Sequence, residues 1–537
     1  MNSRIPDGIQ ASPPVLSMFE IYGPVYTWLA VITAMLGSFA TLLTGTIINV
    51  AIPEVMGAFG IGQDQAQWLS TGFLAAGTVT MLLTAWCCTV FGMRATYVGS
   101  MLVFLAGSIM GGLAPNPEVL ILSRVIQGAA AGVLSPLSMV INYQIFPAHQ
   151  RGMAMGIFGI GVVLAPALGP TLGGLLIDNY DWRYVFYLAI PFTVISIPLA
   201  LMFMPTRDPD DPVPGLDWVG VLLSSVFLTS LLTGLSNGER DGWQSDIIVL
   251  QFACAAFCMV LFIWWENRVE HPLLNLQLFT HGRFLAAAAV TFILGIGLYG
   301  STYLVPLFLQ TVQHITPTNS GLLMLPAGLA MAFFFPIAGA LSDRIEPRYV
   351  IILGLLLFAV SSGLMRQVDF NTPYAQLMAW ALIGRIGLAL IFPSLNAASL
   401  ATLPVALLSQ GSGAINFLRQ LGGAFGVNLL SISLARRSAE YSDAYTTTQT
   451  SGTASLELLQ KIQDTMFGGH LGYLMQFEPA LSYLSSTLHG QAMVMSFREG
   501  FAGIAFIFLI SVIPAWYMRT SPPEKAIPFN QIDRQKG

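Results

Sequence analysis

Residues 119–142 read VLILSRVIQGAAAGVLSPLSMVIN, and residues 376–399 read QLMAWALIGRIGLALIFPSLNAAS. Each is long enough to cross the apolar core of a bilayer as a helix, which takes about 20 mostly apolar residues. Each carries one arginine and one proline, Arg124 with Pro136 and Arg385 with Pro393. The prolines lie 257 positions apart, and neighbouring features repeat at similar offsets. Ala85 to Arg94 lines up with Gly339 to Arg348 at 254, and Arg151-Gly152 with Gln410-Gly411 at 259. Equivalent loops fall on the same side of the membrane, so the repeat is parallel. Paired halves of this kind are how secondary transporters place a substrate site near the midplane.

Outward from this pair the chain stays apolar. Charged residues are 9% of the 537 and hydrophobic residues 55%, with mean hydropathy +0.69. A soluble domain carries about 25% charged residues. The net charge of -5 supplies no basic field for nucleic acid. Long unbroken runs exclude an outer-membrane barrel, whose strands alternate. Fourteen spans follow, at 27–50, 66–86, 95–115, 119–142, 152–177, 183–204, 217–236, 245–265, 284–311, 318–341, 349–366, 376–399, 406–433 and 497–518. The fold class is an all-α polytopic membrane protein. It comprises a six-helix bundle at 27–204, a two-helix insertion with linkers at 205–283, and a second six-helix bundle at 284–518.

Lysine and arginine in short loops set orientation. With the N-terminus inside, twelve basic residues fall inside and three, Arg183, Arg240 and Arg366, fall in short outside loops. Both termini, 1–26 and 519–537, are expected in the cytoplasm, and the polar segment 437–496 outside. Ser455 to Met466 and Leu474 to Leu488 read either as short amphipathic helices or as parts of a floppy loop. All ten Trp fall near span ends, as an interfacial belt requires. The four Cys lie in apolar runs without His or carboxylate nearby and read as packing residues, so no metal is expected.

Several motifs are similar to one family. The first span ends Thr46-Ile-Ile-Asn49-Val-Ala51-Ile-Pro53, and the fourth holds Arg124-Val-Ile-Gln127-Gly128. The fifth holds Gly161-x3-Ala165-Pro166-x2-Gly169-Pro170-x2-Gly173-Gly174. Trp182-Arg183, Leu216-Asp217-Trp-Val-Gly220, His271-Pro272-Leu-Leu, Gly339-Ala-Leu-Ser-Asp343-Arg344 and Asn416-x2-Arg419-Gln420-x-Gly422-Gly423 follow. Together they resemble the major facilitator superfamily, and within it the fourteen-helix drug:proton antiporters of the EmrB/QacA type.

The resemblance implies a multidrug exporter in a bacterial inner membrane, using no cofactor and drawing on the proton gradient. Its implied partners are the lipid bilayer, small amphipathic substrates, a periplasmic adaptor protein and an outer-membrane channel. Export of one specific metabolite, siderophore or lipid without proton coupling is an alternative, as is a transport-dead sensor or scaffold. No G-x4-G-K-[ST] occurs, so ATP is not the expected driver.

The candidate pathway is Thr44, Asn49, Arg124, Gln127, Tyr299, Tyr303, Arg385, Asn416, Arg419 and Gln420. A charge inside an apolar helix costs a few kcal/mol or more and must find partners. Arg124 therefore reads either as a fixed charge tuning the site or as a helix lock. Gly161, Ala165, Gly169 and Gly173 recur every four residues and make one smooth face for close contact. Pro166 and Pro170 remove backbone donors, and with Gly174 the stretch reads as a hinge and seal between the halves. Gly339, Asp343 and Arg344 read as a cytoplasmic gate. The first copy keeps Gly92 and Arg94 but has Thr89 where the acid belongs. The family usually carries an Asp where this chain has Thr44. Glu54 and Asp64, near the outer ends of the first spans, are the carboxylates left to carry a proton.

Overall fold

A backbone amide in hydrocarbon finds no water, so an apolar run closes its own hydrogen bonds as a helix. The computed structural model describes residues 12–66, 68–207, 215–447, 461 and 473–519. Every expected span lies on a helix. In chain order these are α1 (Tyr26–Phe59), α2 (68–91), α3 (93–112), α4 (Pro117–Ile145), α5 (Arg151–Asn179) and α6 (Tyr184–Phe203). The insertion is α7 (Trp218–Asp241) and α8 (Asp246–Glu266). The second half is α9 (Gly282–Thr311), α10 (Pro317–Arg344), α11 (Pro347–Met365), α12 (Tyr374–Ala401), α13 (Leu408–Thr447) and α14 (Tyr473–Ile510).

Among the described residues, 11 helical stretches are long and apolar enough to cross a membrane. One of them, Trp68–Gly112, holds two legs that meet at Gly92 (φ 79°, ψ 163°). Only glycine takes that conformation freely, and a Cβ there would lie 2.8 Å from the backbone nitrogen of Arg207. The legs run in opposite directions. Phe73 and Gly77 of α2 meet Gly128 and Gly132 of α4, in rising order, whereas Gly107 and Gly111 of α3 meet Gln127 and Ser123, in falling order. α13 is less apolar than the other long helices, because Asn416, Arg419, Gln420 and Asn428 interrupt its apolar residues.

The repeat is visible in the packing. In the first half α1 lies on α5 and α3 on α4; in the second, α9 lies on α13 and α11 on α12. Glycines set these contacts, as where Gly354 and Gly387 bring α11 and α12 to backbone distance. The halves join chiefly where equivalent helices are exchanged, α5 meeting α10 and α2 meeting α13, with α5 also touching α12 and α4 touching α13. Outward-facing Leu250, Phe257 and Val260 on α8 are exposed, as a lipid-facing surface requires.

Three expectations change. The segment 437–496 does not begin and end as a loop with short helices. α13 runs unbroken to Thr447, and Leu474 to Leu488 is the first part of the 38-residue α14. At 1.5 Å per residue such helices reach well beyond a core of about 30 Å. Arg437 pairs with Glu499 at 2.9 Å where they project. Ser455 to Met466 lies outside the described residues, apart from Lys461. Trp182 and Trp380 are buried and belong to the interior, Trp182 packing on Phe59 and Phe186. Before α1, the short helix Pro13–Tyr22 buries Val15, Met18 and Phe19 where the sequence suggested only a tail.

Candidate functional site

Arg124 ties three helices of the first half together. Its Nε donates to the Leu69 carbonyl at 2.9 Å and its Nη1 to Gln127 Oε1 at 2.8 Å. Gln127 Nε2 passes the chain on to Ser108 Oγ at 2.9 Å. The guanidinium lies 4.3 Å from the centre of the Phe73 ring. Arg124 is fully buried, and its Nη2 has no partner. Phe73 also touches the position of Gly45 in α1. Beside it Thr44 is buried, with its hydroxyl donated to the Ala40 carbonyl at 2.9 Å. Asn49 is exposed and accepts from Ser70 at 2.8 Å. Among the candidate residues of the first half, Arg124 and Gln127 are brought together.

The second half holds another polar junction. Arg419 Nη2 donates to Asn416 Oδ1, and its Nη1 reaches Asn396 Oδ1 at 3.4 Å. Its guanidinium sits 4.7 Å from the centre of the Phe392 ring. Asn416 Oδ1 also accepts from Ser135 of the first half at 3.3 Å, and its Nδ2 reaches Met139 Sδ at 3.3 Å. Arg385 donates to Thr302 at 3.1 Å, and Tyr303 to Ser431 at 3.3 Å. Tyr299 and Gln420 line a cavity of about 160 Å³ with Thr71, Leu74, Leu228 and Leu232. Ser135, Thr302 and Asn396 are partners that sequence reading missed. Short polar residues within spans were their only signal.

Across the halves, Asp343 at the end of α10 caps the start of α5. Its Oδ1 accepts from the Gly152 amide at 2.7 Å and its Oδ2 from the Met153 amide at 2.9 Å. A carboxylate there meets unpaired amides and the positive end of a long helix. Gly152 and Gly339 allow the backbones to touch. Arg344 is exposed and makes no described contact. In the first-half copy, Thr89 bonds its own helix at Ala85, 3.0 Å away, while Arg94 holds the Met204 carbonyl at 2.7 Å. Gly92 and Arg94 thus bind the end of α6 and do not cross to the other half.

These inter-half contacts gather at the arginine-rich end of the bundle, where Arg94, Arg151, Arg344 and Arg348 also lie. The Major Facilitator Superfamily profile matches residues 34–427. The chain belongs to the major facilitator superfamily. It is 32% identical over 499 residues to the uncharacterized MFS-type transporter YhcA of Bacillus subtilis, covering 92% of this chain and 93% of that one. It is 28% identical over 491 residues to the multidrug export protein EmrB of Haemophilus influenzae, covering 91% and 94%. The fold is also that of the human organic anion transporter MFSD10, with TM-score 0.60, 14% identity, and 91% and 99% of the two chains covered. At that identity the likeness speaks to fold alone.

As a major facilitator transporter the protein is a multi-pass membrane protein and not an enzyme, and its relatives include multidrug exporters. One expectation about its motif changes. The face carrying Gly161, Ala165, Gly169 and Gly173 does not seal the halves. Gly169 lies against Thr46, Gly173 against Ile47 and Gly161 toward Met35, all on α1 of the same half. The seal is made by Gly152, Gly156 and Gly159 against Phe335 and Gly339 of α10. Gly159 and Gly161 are two residues apart, which turns them to nearly opposite sides of a helix. Gly174 faces open space. Pro166 and Pro170 lie within α5, and their side chains are outside the described residues, as is that of Asp64.

Proposed function

We propose that this transporter exports amphipathic organic compounds by alternating access, across the inner membrane of a bacterium. The observation that carries the reading is the one-sided closure between the halves. Asp343, Gly152, Gly339 and the Ser135–Asn416 contact hold the arginine-rich end together, while Gln420 and Tyr299 line a cavity farther along α13 and α9. The arginine-rich end is the cytoplasmic one, by the bias of twelve basic residues to three. The state seen is then closed to the cytoplasm, as an exporter is when it releases substrate. The projecting ends of α13 and α14 lie outside, where they offer a surface for a periplasmic adaptor leading to an outer-membrane channel.

Proton antiport is the driver that the EmrB/QacA resemblance suggests. A second reading, export without proton coupling, is favoured by the interior. Among the described residues no Asp or Glu lies at the middle of a span, and Thr44 holds the place of the usual acid. Cells making the protein should accumulate less of an amphipathic dye than cells making an Asp343→Ala, Arg419→Ala double variant at equal membrane abundance. Equal accumulation across dyes of every charge would overturn the export reading. Loss of efflux on adding a proton ionophore at a clamped membrane potential would favour antiport.

A further inference from the structure

Near the start of α13 the two halves touch backbone to backbone. A Cβ on Gly413 would lie 2.7 Å from the Met81 carbonyl oxygen of α2. About two to four turns farther along α13, at Gln420 to Asn428, the same two helices border the cavity of about 160 Å³. α2 faces it with Thr71, Leu74 and Thr78. The space is a wedge, closed where Met81 meets Gly413. One side of that wedge belongs to neither half. α7 of the insertion packs on the α2–α3 pair and on α13. It turns Leu228, Leu232 and Ser236, one helical face at intervals of four, into the cavity. Leu228 and Leu232 are buried there.

No described residue that lines the cavity carries a charge. Arg419, next in sequence to Gln420, turns its guanidinium to Asn396 and Asn416 and supplies no counter-charge here. A charged ligand would give up its hydration at a cost that no lining group offsets. What the lining offers is hydrogen bonding beside an apolar surface. The Gln420 side chain makes no hydrogen bond to a described residue, and its atoms are not sealed from open space. Asn428 donates its Nδ2 to the Ala424 carbonyl at 2.8 Å, which leaves its Oδ1 open as an acceptor. Leu74, Leu228, Leu232 and Val427 supply the apolar surface. We propose that α7 is a wall of the substrate site, and that the site takes an uncharged amphipathic molecule bearing amide or hydroxyl groups, bound by Gln420 and Asn428 and limited in size by Leu228 and Leu232. This rests on the export reading and names its substrate class. The two-helix insertion is then a specificity element and not a spacer between the halves. Because α7 rests on a helix of each half, the wall shifts as the halves move and the cavity is reshaped between states.

The test uses the full chain with the native cysteines replaced and Ser236→Cys added. Chloramphenicol, uncharged and bearing an amide and hydroxyls, is the probe, with ethidium and fluorescein as charged counterparts. Saturating chloramphenicol should slow labelling of the purified protein by N-ethylmaleimide severalfold, and neither charged dye should. Leu232→Trp, which fills the cavity, and Gln420→Ala, which removes its amide, should each raise the chloramphenicol concentration for half-protection about tenfold. Leu232→Ala leaves the cavity open and should keep protection, which tells filling apart from a folding defect at that position. Cells making the protein should also accumulate less chloramphenicol than cells without it. Protection by ethidium or fluorescein and none by chloramphenicol, in a protein that exports those dyes, would overturn the uncharged class and leave export standing. Export of chloramphenicol with no protection at position 236 and no response to Leu232→Trp would put the substrate away from α7 and overturn the proposal alone. A protein that exports none of the three and is not protected by chloramphenicol loses both the proposal and the export reading.

Discussion

A single carboxylate bears on how firmly the arginine-rich end is shut. Asp343 gives one oxygen to each of two amides that have no helical partner of their own. Losing such a cap costs about 1 kcal/mol, with a range of 0.5–2, so Asp343→Ala should shift the balance of closed and open states by about fivefold. A cysteine placed at Met153 should then react about five times faster with a thiol reagent that reaches the cytoplasmic side. Asp343→Asn keeps one acceptor oxygen and should lie between. An unchanged labelling rate in Asp343→Ala would mean the closure is held elsewhere. Arg124 belongs to the same scale but to a different task. Arg124→Lys keeps the charge and loses the fork that serves Leu69 and Gln127 together. We expect a lower melting temperature in detergent, by several degrees, with Gln127→Ala adding little on top because the two residues share one network. Additive losses would show that Gln127 has work of its own.

Among the elements, the inserted pair α7–α8 shows how two short motifs act through each other. Asp217 accepts from the Gly220 amide at 2.9 Å and from the Trp265 indole at 2.8 Å. Glu266 accepts from the Leu274 amide at 3.2 Å, in the His271-Pro272-Leu-Leu stretch. A Cβ on Gly220 would sit 2.8 Å from Glu266 Oε1 and would also press on Asp217. Gly220→Ala should therefore cost at least the Asp217 cap, about 1 kcal/mol, visible as a lower melting temperature. No change would mean that the carboxylates swing aside freely. The helices themselves were legible in the sequence, because apolar length is a direct consequence of the solvent. The partners of helices were not. Gly152, Gly156 and Gly159 join the halves while Gly161, Gly169 and Gly173 join α5 to α1, yet both sets are small residues at helical spacing. Spacing shows that a face is smooth and leaves open which helix lies on it. The arginines were legible as expensive residues, but their acceptors, such as Asn396 and Thr302, carry no charge to mark them.

For the whole molecule, the proposed alternating access requires that the contact at the arginine-rich end be broken once per cycle. The two halves are packed units of six helices each, and packed interiors shift as bodies more readily than they deform. The contact between α5 and α10 should then be a switch, present in one state and absent in the other. It can be made permanent. A Cβ on Gly152 would lie against Ser342 Oγ, so Gly152→Cys with Ser342→Cys places two sulfurs within reach of a disulfide, whose Cβ atoms are about 3.8 Å apart. Cys87, Cys88, Cys254 and Cys258 must first be replaced, although they lie within helices and are at least half-buried. The oxidised variant should bind substrate from outside and export none, and a reductant should restore efflux to the level of either single variant. A locked protein that still exports would show that the halves pass substrate without parting at α5 and α10, and the alternating-access reading would have to be abandoned. Glycine at position 152 gives way to a side chain in this test, so each single variant measures the cost of that crowding apart from the lock.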